Sequence, residues 1–285
     1  MELYDLEQGL GSIASTGCVL NCQELVGLKA GMMLLKTREK FPEIFFWGKI
    51  LGQELDYYLA YGMRDSEFEF PSKEFFYAGE DFQFKTLPRL TEELADRVIE
   101  VFAEKDMPFT GKVEQLLEPP ADDADPPPDD DAEVPASDKP KPLTELERLS
   151  QVVQEIDFDT AAVPAGAYCL NEAHLVVRSS NFRGLGATEA TALEKYVHFR
   201  PPTSVAALRA LARSDIQFYS NFLDPLEKDL PRGCWAVRQD FSATLVTLRS
   251  LTWPGYCAFH VPGTLKFGGA YIGYAQKNSD LPFLL

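Results

Sequence analysis

The strongest constraint on the fold lies near the end of the chain, where two strand-like segments flank a turn. Thr244, Val246 and Leu248 alternate along one segment, a spacing typical of one strand face. Pro254-Gly255 then predicts a turn, because proline presets φ and glycine tolerates positive φ. Residues 270–274 predict a further strand. No nucleophile stands beside a base in this stretch, which therefore favours packing over chemistry.

The last residues are too apolar for a solvated tail. Leu281, Phe283, Leu284 and Leu285 follow Asp280 directly. Burying one such side chain contributes about 1.5–3 kcal/mol before entropy is subtracted. We therefore expect this tail to dock into the fold or onto a neighbouring subunit.

The remaining elements follow from hydrophobic spacing and from turn and capping residues. In the first half, helical spacing predicts helices at 23–40 and 91–102, and strand-like runs predict strands at 44–51, 56–61, 74–77 and 82–85. In the second half we expect helices at 144–156, 188–196 and 204–212 and strands at 175–177, 234–239, 243–250, 256–261 and 270–274. The pattern lacks βαβ alternation and predicts an α+β fold, with an antiparallel β-sheet and helices packed on one side.

An acidic tract interrupts this pattern at residues 118–142. It holds nine Asp or Glu, two Lys and eight Pro, a local net charge of −7. With so few apolar side chains, it cannot offset its ordering entropy by burial, so we expect a disordered insert. The predicted organisation is an N-terminal helix and hairpin part at 1–117, this insert, and a C-terminal α+β part at 143–285. The two ordered parts are expected to form one compact unit.

Charge and composition exclude several classes of function. The net charge of −17 argues against nucleic acid and against an anionic membrane surface, because both need clustered Lys and Arg. No signal peptide and no apolar run of membrane-spanning length is visible. The five cysteines are therefore expected to be reduced thiols in the cytosol.

No motif predicts catalysis, a cofactor or a metal. His174, His198 and His260 lie far apart in sequence and outside any metal-binding spacing, so we interpret them as surface or hydrogen-bonded core residues. Cys18 and Cys22 have no matching second pair. The glycines at 184 and 186 lack the rest of a phosphate-binding loop and predict a turn, with Thr188 capping the next helix.

Aromatic residues are the more informative side chains. Each tryptophan lies within two residues of a glycine or proline, in or beside a strand-like segment. Such rings are either core residues or anchors of a protein interface, and the sequence leaves both interpretations open. The candidate anchors are Trp47, Tyr57, Tyr58, Trp235, Trp253 and Phe283.

Several blocks of the sequence carry a family resemblance. They are Phe46 to Gly52, Asp56 to Gly62, Tyr196 to Arg200, Pro231 to Trp235, Leu248 to Gly255, Ala270 to Tyr274 and Asp280 to Phe283. In this order they resemble the radial spoke head protein 9 family of ciliary and flagellar axonemes. The Leu-Arg-Ser and Trp-Pro-Gly core is also similar to the related spoke head proteins 4 and 6. The acidic tract has no counterpart in the family pattern.

The resemblance implies a non-enzymatic, structural subunit of the spoke head, located in the axonemal cytoskeleton. It implies partners among spoke head proteins of the 4 and 6 type and other head subunits. It further implies intermittent contact with central pair projections and a mechanical signal to the dynein arms that regulates ciliary movement. Two alternatives stay open: an enzyme with a site assembled from distant residues, such as His198 or His260 beside a Cys or carboxylate, and a transient adaptor or assembly factor.

Replacement of residues 118–142 by a short Gly-Ser linker tests the expected insert. Because loop-closure entropy changes slowly with length, the free energy of unfolding should change by about 1 kcal/mol or less. Chemical denaturation of both proteins measures the difference. Loss of cooperative unfolding would show that the tract packs against the fold.

Overall fold

The computed structural model describes residues 1–17, 19–64, 69–102, 107–117, 142–213 and 220–284. The predicted features at Cys18, at Leu285 and at 118–141 of the acidic tract lie outside these residues. The described helices are α1 (Leu6–Ile13), α2 (Cys22–Glu39), α3 (Glu92–Phe102), α4 (Glu145–Thr160), α5 (Val205–Leu211) and α6 (Leu281–Leu284). Helices α2, α3, α4 and α5 confirm four predicted helices.

The strands in chain order are β1 (Glu43–Ile50), β2 (Tyr57–Arg64), β3 (Ser72–Ala78), β4 (Lys85–Thr86), β5 (Ala162–Pro164), β6 (Tyr168–Leu170), β7 (Val176–Arg178), β8 (Tyr196–His198), β9 (Trp235–Gln239), β10 (Val246–Ser250), β11 (Tyr256–His260) and β12 (Phe267–Gly273). Eight of the described strands form one sheet in the order β4-β3-β2-β1-β12-β11-β10-β9. β5 pairs with β8, and β6 pairs with β7. The α+β class and both predicted hairpins, β1–β2 and β9–β10, are confirmed.

The sheet differs from the sequence-based expectation in one pairing. β1 runs parallel to β12, with Gly48 opposite Tyr271 and Ile50 opposite Gly273. The other neighbours in the sheet are antiparallel. The parallel pair joins the first half of the chain to the last strand, so the sheet is mixed. The predicted division into parts stays a prediction.

Helices contact both faces of the sheet, where the sequence predicted one. Leu6 of α1 and Leu28 and Met32 of α2 pack with Phe46 and Phe259 on the first face. Leu149, Val153 and Ile156 of α4 pack with Trp47, Leu59 and Tyr271 on the second face. The α4 side chains recur at helical spacing, but spacing does not say which face a helix covers.

A β-bulge at Trp47 changes which face of the sheet the later side chains of β1 point to. The register of β1 with β2 shifts between Phe46 and Gly48, which leaves Trp47 as the extra residue. Phe46 therefore points to the α1 and α2 face, while Trp47 and Ile50 join the α4 face. The extra residue reverses the alternation beyond it, and the strand is buried on both sides because helices cover both faces of the sheet.

A third apolar cluster lies beside the main sheet. Val163, Tyr168 and Phe199 of the two small sheets pack with Leu211 of α5 and with Phe222. The helix α5 begins where the sequence predicted, since the Ser204 hydroxyl accepts a hydrogen bond from the Ala207 N–H at 3.3 Å.

The predicted helix at 188–196 is wrong. The segment forms two 3₁₀ turns, Glu189–Thr191 and Leu193–Lys195, separated by the extended residue Ala192. Tyr196 then starts β8, where it is buried and donates its hydroxyl to the Ala190 carbonyl at 2.8 Å. Pairing with β5 and burial of this ring outweigh the weak local preference for helix.

Gly48 offers a test of the parallel junction. A Cβ at this position would lie 2.1 Å from the Tyr271 carbonyl oxygen, so Gly48→Ala forces the two strands apart. We expect the free energy of unfolding to fall by about 1–3 kcal/mol. Chemical denaturation measures it.

The matched control is Gly11→Ala in α1, where a Cβ meets nothing within 4 Å. Because alanine favours a helix by up to about 1 kcal/mol, this variant should be unchanged or more stable. Equal stability of the two variants would contradict the proposed closeness of β1 and β12.

Candidate interaction residues and buried polar clusters

The structure separates the six candidate anchors into two groups. Phe283 in α6 is 87% exposed, and its neighbour Leu284 is also exposed, whereas Leu281 is buried. The other five rings are buried within this chain. These five are Trp47, Tyr57, Tyr58, Trp235 and Trp253. Phe283 is therefore the one candidate that presents a free ring to solvent.

Two tryptophan side chains donate hydrogen bonds to the C-terminal end of α4. The Trp47 indole N–H donates to the Asp157 carboxylate at 3.3 Å, and the Trp253 indole N–H donates to Asp159 at 2.9 Å. Lys73 lies 2.5 Å from Asp157 and neutralises its charge. An indole N–H needs a partner when its ring is buried, and here an aspartate supplies it. No local pattern predicts these pairings, because the partners lie about a hundred residues apart in the chain.

Tyr57 fastens the other end of α4. Its hydroxyl donates to the fully buried Glu145 carboxylate at 2.7 Å. The N–H groups of Thr110 and Gly111 donate to the same carboxylate at 2.9–3.1 Å. Burial and the Glu145 charge together raise the pKa of Tyr57. A buried carboxylate with this many donors is satisfied, so it holds the helix in place.

Tyr58 belongs to an ion cluster on the opposite face. Glu24 accepts from the Lys49 ammonium and from the Tyr58 hydroxyl, each at 2.8 Å, and Lys49 also lies 2.8 Å from Asp56. Burial favours the neutral form of Lys49, but hydrogen bonds to Asp56 and Glu24 outweigh it and raise the pKa of Lys49. Burial and the adjacent carboxylate raise the pKa of Tyr58 to about 12.

Trp235 lies at a polar cavity of about 250 Å³. Its indole N–H donates to Asp229 at 2.7 Å, and the same carboxylate lies 2.8 Å from His198 Nε2. Cys234 also lines this cavity. The arrangement meets the geometric condition set for the enzyme alternative, a histidine beside a carboxylate in a pocket.

The chemistry of this cavity does not match a nucleophilic site. The Nε2 atom of His198 is occupied by Asp229, and its Nδ1 atom is buried without a hydrogen-bond partner among the described residues. Burial, followed by the Asp229 charge, raises the pKa of the Cys234 thiol. A nucleophilic cysteine needs the opposite shift, because the thiolate is the reactive form.

The other two histidines make structural contacts. His260 is fully buried, and its Nε2 accepts the Leu185 N–H at 3.1 Å while Nδ1 lies 3.2 Å from the Lys266 carbonyl. These contacts assign the proton to Nδ1, and burial lowers the pKa of His260. His174 is at the surface, 3.4 Å from Glu69. His198 and His260 thus lie in different polar clusters.

A second cavity, of about 150 Å³, lies between the main sheet and the third apolar cluster. Aromatic rings line it. Phe45 stacks on Tyr61 with 5.0 Å between ring centroids, and Tyr168 stacks on Phe199 with 4.1 Å between ring centroids. Arg178 at its edge lies 3.3 Å from a carboxylate oxygen of Glu43. The cavity is small, and its basic side chains Lys73, Arg178 and Lys266 already contact Asp157, Glu43 and Gln8, so it suits an apolar group better than an anion.

Metal-binding and membrane-spanning features are not found in the described part of the chain. Its His, Cys, Asp and Glu side chains form no cluster of three that fits a metal ion. Its cysteines are free thiols, with Cys22 exposed and Cys169, Cys234 and Cys257 buried. None of the described helices combines the length and apolar character that a bilayer crossing requires.

Comparison with known proteins gives a consistent result along the whole chain. The family model described as radial spokehead-like protein matches residues 1–155. The radial spoke head protein 9 homolog of Danio rerio is 32% identical over 285 residues, covering all of both chains. The homologs of Mus musculus and Homo sapiens are 31% and 30% identical, covering 99% of this chain and 98% of each relative. The resemblance seen in the sequence is confirmed, and this chain belongs to the radial spokehead-like protein family.

Proposed function

We propose that the chain is a structural, non-enzymatic subunit of the radial spoke head in ciliary and flagellar axonemes. The observation that carries the proposal is similarity over the full chain to relatives named radial spoke head protein 9 homolog. As a spoke head subunit it would assemble with spoke head proteins of the 4 and 6 type and other head subunits. It would meet the central pair intermittently and help pass mechanical signals to the dynein arms.

The polar interior supports a mechanical role. The fully buried carboxylate of Glu145 and the partly buried carboxylates of Asp157 and Asp229 each accept a hydrogen bond from a tyrosine or tryptophan of the core. Helix α4 is fastened to its surroundings at both ends in this way. A subunit that transmits force must keep its shape under load, and such cross-links between helix and sheet resist shear.

The enzyme alternative rests on the cavity of His198, Asp229 and Cys234. Its histidine lacks an accessible free nitrogen, and its thiol has a raised pKa. The cavity therefore favours a structural contact. A spoke function predicts that Cys234→Ala assembles and supports beating like the wild type, whereas a cysteine nucleophile predicts loss of function with normal assembly.

Incorporation into axonemes tests the proposed function. A tagged full chain is expressed in ciliated cells that lack their own radial spoke head protein 9, and the axonemes are washed with high salt. We expect the tagged chain to stay in the axoneme, to co-purify with spoke head proteins and to restore the normal waveform. Release by salt with normal motility would favour a transient adaptor, and absence from axonemes would refute the proposal.

The exposed end of α6 provides a prediction about interface anchors. Phe283→Ser with Leu284→Ser should change the free energy of unfolding by about 0.5 kcal/mol or less, because both side chains are exposed. The same variant should lose recovery of spoke head proteins if the apolar pair docks onto a neighbour. Denaturation and co-purification measure the two effects.

Two single variants serve as controls. Leu281→Ala removes a buried side chain and should cost about 2–4 kcal/mol of stability. Leu230→Ser changes an 83% exposed leucine elsewhere and should leave both measurements unchanged. Unchanged recovery of partners by the Phe283 and Leu284 variant would exclude Phe283 as an anchor.

A further inference from the structure

Helix α2 has an apolar, uncharged side that faces solvent. Val26 is 69% exposed, Leu34 is 73% exposed and Met33 is half-exposed. Together with four small or polar neighbours they form a surface that we call the α2 stripe. Its seven residues are Cys22, Gln23, Val26, Ala30, Met33, Leu34 and Thr37, and all of them are exposed.

The α2 stripe is unusual for the outer side of a surface helix. The inner side of α2 already buries Leu28, Met32 and Leu35 against the sheet. At 100° per residue, the stripe covers an arc of about 120° over a length of about 23 Å. A surface helix normally carries charged residues on its outer side, and a helix that is apolar all round is normally buried all round. The geometry therefore indicates that a second element covers α2.

The stripe is presented on a rigid platform. Gly27 and Gly31 bring α2 so close to Phe82 that an added Cβ would lie 2.4 Å and 2.3 Å from its atoms. The capping box of Asn21 and Glu24 fixes the first turn. A partner that binds here meets an ordered surface, so little conformational entropy is lost on this side.

Basic side chains border the stripe, although the chain as a whole is strongly acidic. Residues 22–40 contain four basic and two acidic side chains, a formal charge of +2 in a chain of −17. Lys36 lies over the ring of the exposed Tyr4 at 5.0 Å, and the exposed Lys40 follows the end of α2, whereas Arg38 is already paired with Glu39. The border nearest the end of α2 is thus positive, which complements an acidic partner.

We propose that the α2 stripe is the docking site for an amphipathic helix of another spoke head subunit. The apolar side of that helix would pack against Val26, Ala30 and Met33, and its acidic flank would face Lys36 and Lys40. This inference rests on the proposed function, because it takes the partner from the spoke head.

A second copy of this chain fits the stripe less well. In a copy the acidic side chains of α2 are already engaged, because Glu24 accepts from Lys49 and Tyr58 and Glu39 accepts from Arg38. A stripe about 23 Å long and about 10 Å wide offers roughly 230 Å², well below the roughly 800 Å² per partner of a standard interface. Alone it is too small for a stable dimer, but it suffices as one contact within a larger assembly.

Binding to purified spoke head proteins of the 4 and 6 type tests the docking site. Val26→Glu with Met33→Glu places charges in the stripe, and Lys36→Glu with Lys40→Glu reverses its border. We expect each double variant to bind at least tenfold more weakly than the wild type, with an unchanged melting temperature. The border variant should also lose the salt dependence of binding.

The matched control lies on α5. Val205→Glu with Leu208→Glu makes the same kind of change at two exposed apolar residues of another helix, and it should bind like the wild type. If the wild type binds and the α2 variants bind equally well, the docking site is refuted while the proposed function stands. If the wild type binds none of these proteins, both are refuted.

A photo-cross-linker at Ala30 identifies what covers the stripe. A link to an acidic helical segment of a spoke head protein supports the docking site. A link to a second copy, accompanied by a dimer in solution that Val26→Glu with Met33→Glu dissociates, would overturn it. A link within the same chain would overturn it as well.

Discussion

The parallel pairing of β1 with β12 is the contact on which the rest of the structure depends. It places a strand from the first fifth of the chain beside the last strand, so that two antiparallel sets become one sheet. Gly48 permits this approach, because any side chain there would strike the Tyr271 backbone. The bulge at Trp47 then distributes the side chains of β1 to both faces, and each face is covered by its own helices.

Hydrogen bonds to carboxylates of α4 hold this helix against the second face of the sheet. An ionised carboxylate in the core is costly unless donors surround it, and here the donors are aromatic hydroxyl and indole groups together with backbone N–H groups. Glu145 and Asp157 use them at opposite ends of α4. The consequence for function is that these groups stabilise one geometry.

The surface carries the remaining information about function. Among the exposed apolar side chains of the described residues, Phe283 with Leu284 on α6 and those of the α2 stripe are the ones we assign to partner contacts. The first was visible in the sequence as an apolar tail. The second is hidden in the sequence, because helical spacing alone does not show that Val26 and Met33 lie outside the buried side of α2. Only the direction in which the helix packs shows that they face outward.

The sequence by itself determined the element types, most element positions and the family. Alternation, helical spacing and capping residues are local signals, and Asn21, Ser204 and the Pro254-Gly255 turn express them directly. The tertiary structure decided the parallel β1–β12 pair, the two 3₁₀ turns before Tyr196 and the pairing of each tryptophan with an aspartate. The β1–β12 pair and the Trp47–Asp157 and Trp253–Asp159 hydrogen bonds join residues far apart in the chain, and their free energy comes from burial and hydrogen bonding that exist only once the sheet has closed.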